Sequence, residues 1–329
     1  MKRVKILGTI ILLQAMFFSC KKGYDVFVPN VTVNDTTWVT SGVLKENLVK
    51  LFEELAGKPL ESEITDIALG DTIEFANGVK ILMPEKTCNG ANGTTAFGPA
   101  KIQLIFLTSK GQFIKHVKPT TASNNPLDAS SEFLVRILQD GKDLSIIQGR
   151  YIVISYHENA PRTTNKVYYG EIPVSTTNTY VNWLVSSDGS LAAVFVKPNP
   201  VNPNQTLTGY EVKFKQLRWV NCGISLDTLV ARSKITATLP NIYTNANTRV
   251  FMVYKDSKTV VQLKDDVASK IFYAVNTPIS KSVMLVSISS INADYYLGVV
   301  DASVVTGLNV SIKPQKKSYA EIADFLNKL

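Results

Sequence analysis

The chain has 329 residues, 45% of them hydrophobic, with 35 Lys and Arg against 27 Asp and Glu and a formal charge of +8. That length is enough for a sizeable core and for two domains of ordinary size. Its basic residues are scattered, with no run longer than a pair such as Lys21-Lys22 or Lys316-Lys317, which excludes the concentrated basic face of a nucleic-acid binder.

The N-terminus reads as an address. Lys2, Arg3 and Lys5 precede an apolar stretch from Ile6 to Phe18, the layout of a secretory signal and too short for a membrane span of about 20 residues. Ser19 is a small residue suited to cleavage. The stretch Phe17-Phe18-Ser19-Cys20 resembles the lipobox of bacterial lipoproteins, with Phe18 departing from the small residue usual there. The resemblance implies cleavage of residues 1–19 and lipid on Cys20, which would hold the protein on a membrane without spanning it. Loss of that signal removes three positive charges and leaves +5. Residues 20–60 are expected to form a lipidated tether, without helical periodicity from Lys21 to Trp38, and then a helix near 43–56.

That helix is predicted from Leu44, Leu48, Leu51, Phe52 and Leu55, which share one face and are followed by Gly57 and Pro59. A second helix, in 316–329, is expected from the capping-box spacing of Ser318 and Glu321 ahead of Ile322, Phe325, Leu326 and Leu329. Both stripes are read as faces that dock on a sheet. Between them the chain is strand-like: "DTIEF", "GVKILMP", "AKIQLIFLTS", "EFLVRIL", "RYIVISYH", "GYEVKFKQLRWV", "KITATLP", "RVFMVYK", "SVMLVSI" and "YYLGVV" are rich in β-branched and aromatic residues and are separated by turn residues. The expected fold is all-β, with two antiparallel, Ig-like β-sandwich domains at 61–196 and 207–315. The run "KPNPVNPNQT", 197–206, is read as the linker between them because its prolines bar a central strand.

The segments "GVKILMP", "GPAKIQLIF" and "EFLVRILQDGKDLSI" resemble a β-sandwich of exported Bacteroidota proteins, itself similar to membrane-proximal sandwiches of ankyrins and netrin receptors. "LRWVNCGIS", with "KITATLP" and "TRVFMVYKDSKTVVQL", resembles the C-terminal half of envelope lipoproteins from the same bacteria that carry a Trp-x-Asn-Cys motif. Gly223 stands where an acidic residue usually follows that motif. The likeness implies location and fold and brings no activity. Lipoproteins sent to the cell surface in these bacteria often carry acidic residues after the cysteine. Lys21-Lys22 therefore favours the periplasmic face of the outer membrane. Asp35-Thr36-Thr37, Asp71-Thr72-Ile73 and Asp227-Thr228-Leu229 resemble O-glycosylation sites of the same group, which makes Thr36, Thr72 and Thr228 candidates for modification.

Catalytic motifs are scarce. His116 and His157 are the only histidines. "HENAP", 157–161, begins like a zinc-protease motif, but Pro161 takes the place of the second ligand and bars the helix that would align two ligands. No nucleophile elbow, phosphate loop or EF-hand spacing occurs. Cys88 and Cys222 fall in different expected domains and are read as buried thiols, with a disulfide as the alternative. Leu217, Trp219 and Cys222 are expected to pack between two sheets. One member of each pair Tyr168-Tyr169 and Tyr295-Tyr296 should face outward, because neighbours on a strand point to opposite faces. No catalytic residue, metal site or cofactor is assigned, and the ligand-binding residues stay open. The favoured function is a non-catalytic, membrane-anchored envelope lipoprotein that binds a protein or glycan partner and no nucleic acid. The alternative is an accessory hydrolase of glycan or peptidoglycan with a site assembled from carboxylates.

Overall fold

The computed structural model describes residues 35–90, 92–171, 181–199, 202–226 and 229–329. Cys20 and Thr228 lie outside the described residues. Among those described, three helices occur: α1 (Glu46–Ala56), α2 (Lys110–Lys115) and α3 (Tyr319–Asn327). The strands of the first half are β1 (Leu60–Ile64), β2 (Asp71–Glu74), β3 (Lys80–Met83), β4 (Cys88–Asn89), β5 (Ala100–Leu107), β6 (Thr121–Ala122), β7 (Asn125–Gln139), β8 (Lys142–Asp143), β9 (Ser145–Ile146), β10 (Ile152–His157), β11 (Lys166–Glu171), β12 (Asn182–Val185), β13 (Leu191–Pro198), β14 (Thr206–Phe214) and β15 (Val220–Ser225). Those of the second half are β16 (Arg232–Thr238), β17 (Thr248–Tyr254), β18 (Val260–Gln262), β19 (Lys264–Asp266), β20 (Ile271–Pro278), β21 (Ser282–Ile291), β22 (Asp294–Ser303), β23 (Asn309–Ser311) and β24 (Gln315–Lys317).

The fold is all-β and built as two sandwiches. In the first, a sheet ordered β1-β5-β7-β15-β11-β12 faces a sheet ordered β13-β14-β10-β3-β2. Register explains the core between them: Ile102 pairs with Ile137 and Leu104 with Val135, so these four side chains point inward together, against Ile81, Ile154 and Val212 of the opposing sheet. In the second sandwich, β19-β20-β16-β23 faces β18-β17-β21-β22-β24. The pairings are antiparallel except for β16 with β23, which is parallel.

β17 shows how the layers stack. Each of its seven residues is buried. Val250, Met252 and Tyr254 pack into the second sandwich, while Phe251 and Val253 turn the other way. There they meet Leu48, Leu51 and Phe52 of α1, Phe113 and Ile114 of α2, and Ile322 and Leu326 of α3. Both amphipathic stripes of the terminal helices thus dock on a sheet as their spacing predicts. The α3 capping box forms, with the Glu321 N–H donating to Ser318 Oγ at 3.2 Å and the Ser318 N–H donating to Glu321 Oε2 at 2.8 Å.

The structure differs from the sequence reading in three places. Residues 197–199 and 202–206 belong to the β13–β14 hairpin, with Pro198 opposite Thr206, and the strands that follow stay in the first sandwich: β14 pairs with β10, and β15 with β7 and β11. Proline is tolerated because β13 is an edge strand. The segment after residue 37 is docked on the second sandwich: the Trp38 ring lies 5.0 Å from that of Phe272, and the Val39 N–H donates to Asn245 Oδ1 at 2.9 Å. Tyr168 and Tyr169 are both buried, because β11 has apolar clusters on both faces of its sheet.

The sandwiches share structure. Leu107 and Ala129 of the first half join the helix-covered cluster of the second. The Thr120 N–H donates to the Val260 carbonyl at 2.7 Å, and the Val260 N–H returns to Thr120 Oγ1 at 2.9 Å. Residues 36–329 accordingly form one unit.

Candidate functional site

Strand parity sorts the chemistry of "LRWVNCGIS". Along β15, Val220 and Cys222 face the first core while Trp219 and Asn221 face away from it. Trp219 is therefore half-buried outside the sandwich, packed against the helix-covered cluster on one side and the Trp183 cluster on the other. This corrects the expectation that Trp219 and Cys222 pack together between two sheets. Their separation of three residues puts them on opposite faces. Gly223 follows at a bulge, where a Cβ would lie 2.8 Å from the Asp128 carbonyl oxygen.

On the inward face, Cys222 is fully buried beside a polar network. Asn165 Nδ2 lies 3.7 Å from Cys222 Sγ and donates to Ser130 Oγ at 2.7 Å and to the Tyr210 hydroxyl at 2.9 Å. Ser131 Oγ donates to the Tyr156 hydroxyl at 2.6 Å. Burial pushes the Cys222 thiol up to about 11 and that of Cys88 to about 12. Both cysteines are free and share one core, so they do not fall in separate domains.

On the outward face, Asn221 Nδ2 donates to Glu132 Oε1 at 2.8 Å. Glu132 is wholly buried, its Oε2 has no hydrogen-bond partner, and burial holds its carboxyl well above the usual range. Lys118 lies over the Trp219 ring at 4.8 Å and is pushed down to about 8, chiefly by burial. His116, 6.3 Å from the same ring, is pushed down to about 4 by burial and by the cations of Lys118 and Lys115. His157 is exposed at the end of β10, and the residues after it form a loop instead of a metal-binding helix. Thr36 and Thr72 are both exposed.

Two concavities lie where the sandwiches meet. One, of about 540 Å³, is charged and is lined by Lys110, Asp128, Glu158, Arg162, Asp256 and Lys258 among others. Its carboxylates are occupied. Asp128 pairs with Arg162, Glu158 with Lys258 at 2.8 Å, and Asp256 with Lys281 at 2.8 Å. The other is a groove of about 410 Å³ walled by Pro119 and Val181, with Thr121, Ser123, Asn124, Asn182, Gln262 and Lys264 around it. The β6 hairpin positions three of these through a tight turn, with φ of 46° at Ser123 and 68° at Asn124. Asn182 Oδ1 accepts the Ser123 N–H at 2.8 Å, and Lys264 Nζ donates to Asn124 Oδ1 at 2.6 Å. Thr121 Oγ1 and Gln262 Oε1 have no partner, and each such orphan costs about 1–3 kcal/mol.

Reading the sequence singled out none of Asp128, Glu132, Arg162, Thr121 or Gln262. For Glu132 a signal exists: a lone acid one position before the apolar run "FLVRIL". The groove has none, because its residues come from three separate stretches. Neither a known protein-family model nor a curated protein matches the chain.

Proposed function

We propose that the chain is a non-catalytic lipoprotein of the bacterial envelope, anchored by lipid on Cys20 at the periplasmic face of the outer membrane, whose sandwiches bind a protein or glycan partner. The observation that carries this reading is the contrast between the two concavities. In the charged cleft every acid named above is taken up by a cation, which speaks against the carboxylate-hydrolase alternative. In the groove, which has no carboxylate among its described lining residues, hydrogen-bonding capacity is left over, as a binding site requires. The reactive side chains point the same way, since both thiols are buried with raised pKa values.

The anchor fits this role. Trp38 packs on the second sandwich, and the roughly 18 residues between Cys20 and Trp38 can span at most about 60–65 Å. That leaves a folded head able to stand off a bilayer. The test begins with Cys20→Ser in cells. The variant should leave the membrane fraction and lose labelling by a fatty acid, whereas equal labelling of both proteins would refute the anchor. The wild type, immobilised in detergent, is then incubated with solubilised envelope. A partner retained by folded and lost by heat-unfolded protein supports the reading. Turnover of peptidoglycan or glycan by the purified head would overturn it in favour of the hydrolase.

A further inference from the structure

The groove between the sandwiches has a lining whose chemistry selects its occupant. Pro119, Thr121 and Asn124 come from the chain around β6, Asn182 from the start of β12, and Gln262 and Lys264 from the second sandwich. The volume of about 410 Å³ falls within the usual range for small-ligand sites. Among the described lining residues Lys264 is the only charged side chain, and its ammonium donates to Asn124 Oδ1 while keeping its charge. The lining thus holds one cation and no carboxylate among its described residues, and the rest of its recognition chemistry is uncharged. Its buried groups without a partner are a carboxamide oxygen, Gln262 Oε1, and a hydroxyl, Thr121 Oγ1. The first can only accept a hydrogen bond and the second can donate or accept, so the occupant must present O–H or N–H donors. Pro119 and Val181 add an apolar wall.

We propose that this groove binds a neutral saccharide, with Gln262 and Thr121 turning onto its hydroxyls and its C–H face resting on Pro119 and Val181. Sugar hydroxyls supply donors and acceptors on one small, uncharged body. Gln262 is 9% exposed and both orphan oxygens are closed off from solvent, so binding includes a rotamer change of the kind common at recognition sites. The assignment rests on the binding-module reading above and names the class of ligand.

The test uses the full lipidated protein in detergent, with maltohexaose, xylohexaose, mannohexaose and chitohexaose as probes in titration calorimetry. At least one hexasaccharide should bind. Thr121→Val and Gln262→Leu should each weaken it by about tenfold, the order expected for one hydrogen bond. Their thermal midpoints should stay level or rise, because each substitution deletes an atom that has no partner in the free protein. Thr121→Ser, which keeps the hydroxyl, should bind like wild type and guards against a folding artefact. Equal affinity in wild type and both variants would place the saccharide elsewhere and sink the groove, leaving the binding-module reading intact. If no hexasaccharide binds while an envelope partner is still retained, the saccharide assignment falls alone. If neither is retained, both fall.

Discussion

The most informative single residues are the buried ones that titrate. Glu132 has a raised pKa in the fold because burial disfavours its charge. Its contribution to stability is therefore fully present below the ordinary value of 4.5 and is lost as pH rises through the folded value. Glu132→Gln keeps an acceptor for Asn221 and removes the cost of ionisation. It should match wild type near pH 4 and be the more stable of the two at pH 8. His116 acts in the opposite sense. Its folded value is depressed, so its contribution is present above 6.5 and is lost as pH falls towards 4. Urea midpoints of wild type, Glu132→Gln and His116→Gln at pH 4, 6 and 8 check both signs, and parallel pH profiles for all three would refute them. The thiols give a second prediction. With both cysteines buried and raised, a thiol reagent should label neither Cys88 nor Cys222 until denaturant is added. Rapid native labelling of Cys222 would refute its burial and mark it as a candidate nucleophile. The inertness of Cys222 was legible from its apolar neighbours. For Glu132 the lone acid ahead of "FLVRIL" was only a weak sign, since a carboxylate in a strand ordinarily faces water, and this sheet is covered on both sides only because the second half folds over it.

At the scale of elements, the strands and the terminal helices were readable because hydrophobic spacing and turn chemistry are local. Nine of the ten quoted strand segments each fall on one strand, the tenth, "GYEVKFKQLRWV", spans the end of β14, a bend and the start of β15, and α1 and α3 bury the stripes that their spacing predicts. Helix α2 escaped notice. It has only six residues, and its one signal is the capping box of Ser109 and Gln112. Its role depends on Gly111, where an added Cβ would lie 1.7 Å from the Leu326 carbonyl oxygen. No side chain fits there, so glycine is what lets α2 and α3 cross in contact. Gly111→Ala should push α3 off the cluster that buries Ile322 and Leu326, at a cost of about 1–3 kcal/mol or more. Amide exchange across 319–327 should speed up more than exchange in the β17 and β21 strands. Unchanged protection of α3 in the variant would show that the helix docks without this close approach.

At the scale of the whole molecule, the two sandwiches were legible but their joining was not. Pairings such as Asn221 with Glu132 connect residues some 90 positions apart, and no local pattern reports such a partner. A proline- and asparagine-rich hairpin end also looks like a linker when only its composition is read. The joined arrangement has a thermodynamic consequence. Phe251 and Val286 of the second half share a cluster with Leu107, Phe113 and Ala129 of the first, so unfolding either half exposes apolar surface of the other. Asp128 ties the same seam in polar terms. Its carboxylate pairs with Arg162 and accepts the Lys258 N–H at 2.9 Å, with its side chain 16% exposed. Denaturant unfolding should therefore follow one cooperative transition, coincident by tryptophan fluorescence and far-ultraviolet circular dichroism. Asp128→Ala strands the Arg162 guanidinium and the Lys258 amide, and should lower stability by about 2–4 kcal/mol while keeping a single transition. Two separated transitions in wild type, or a shift confined to one of them in Asp128→Ala, would mean that the halves fold as independent domains and that the seam, with the groove along it, is a loose contact.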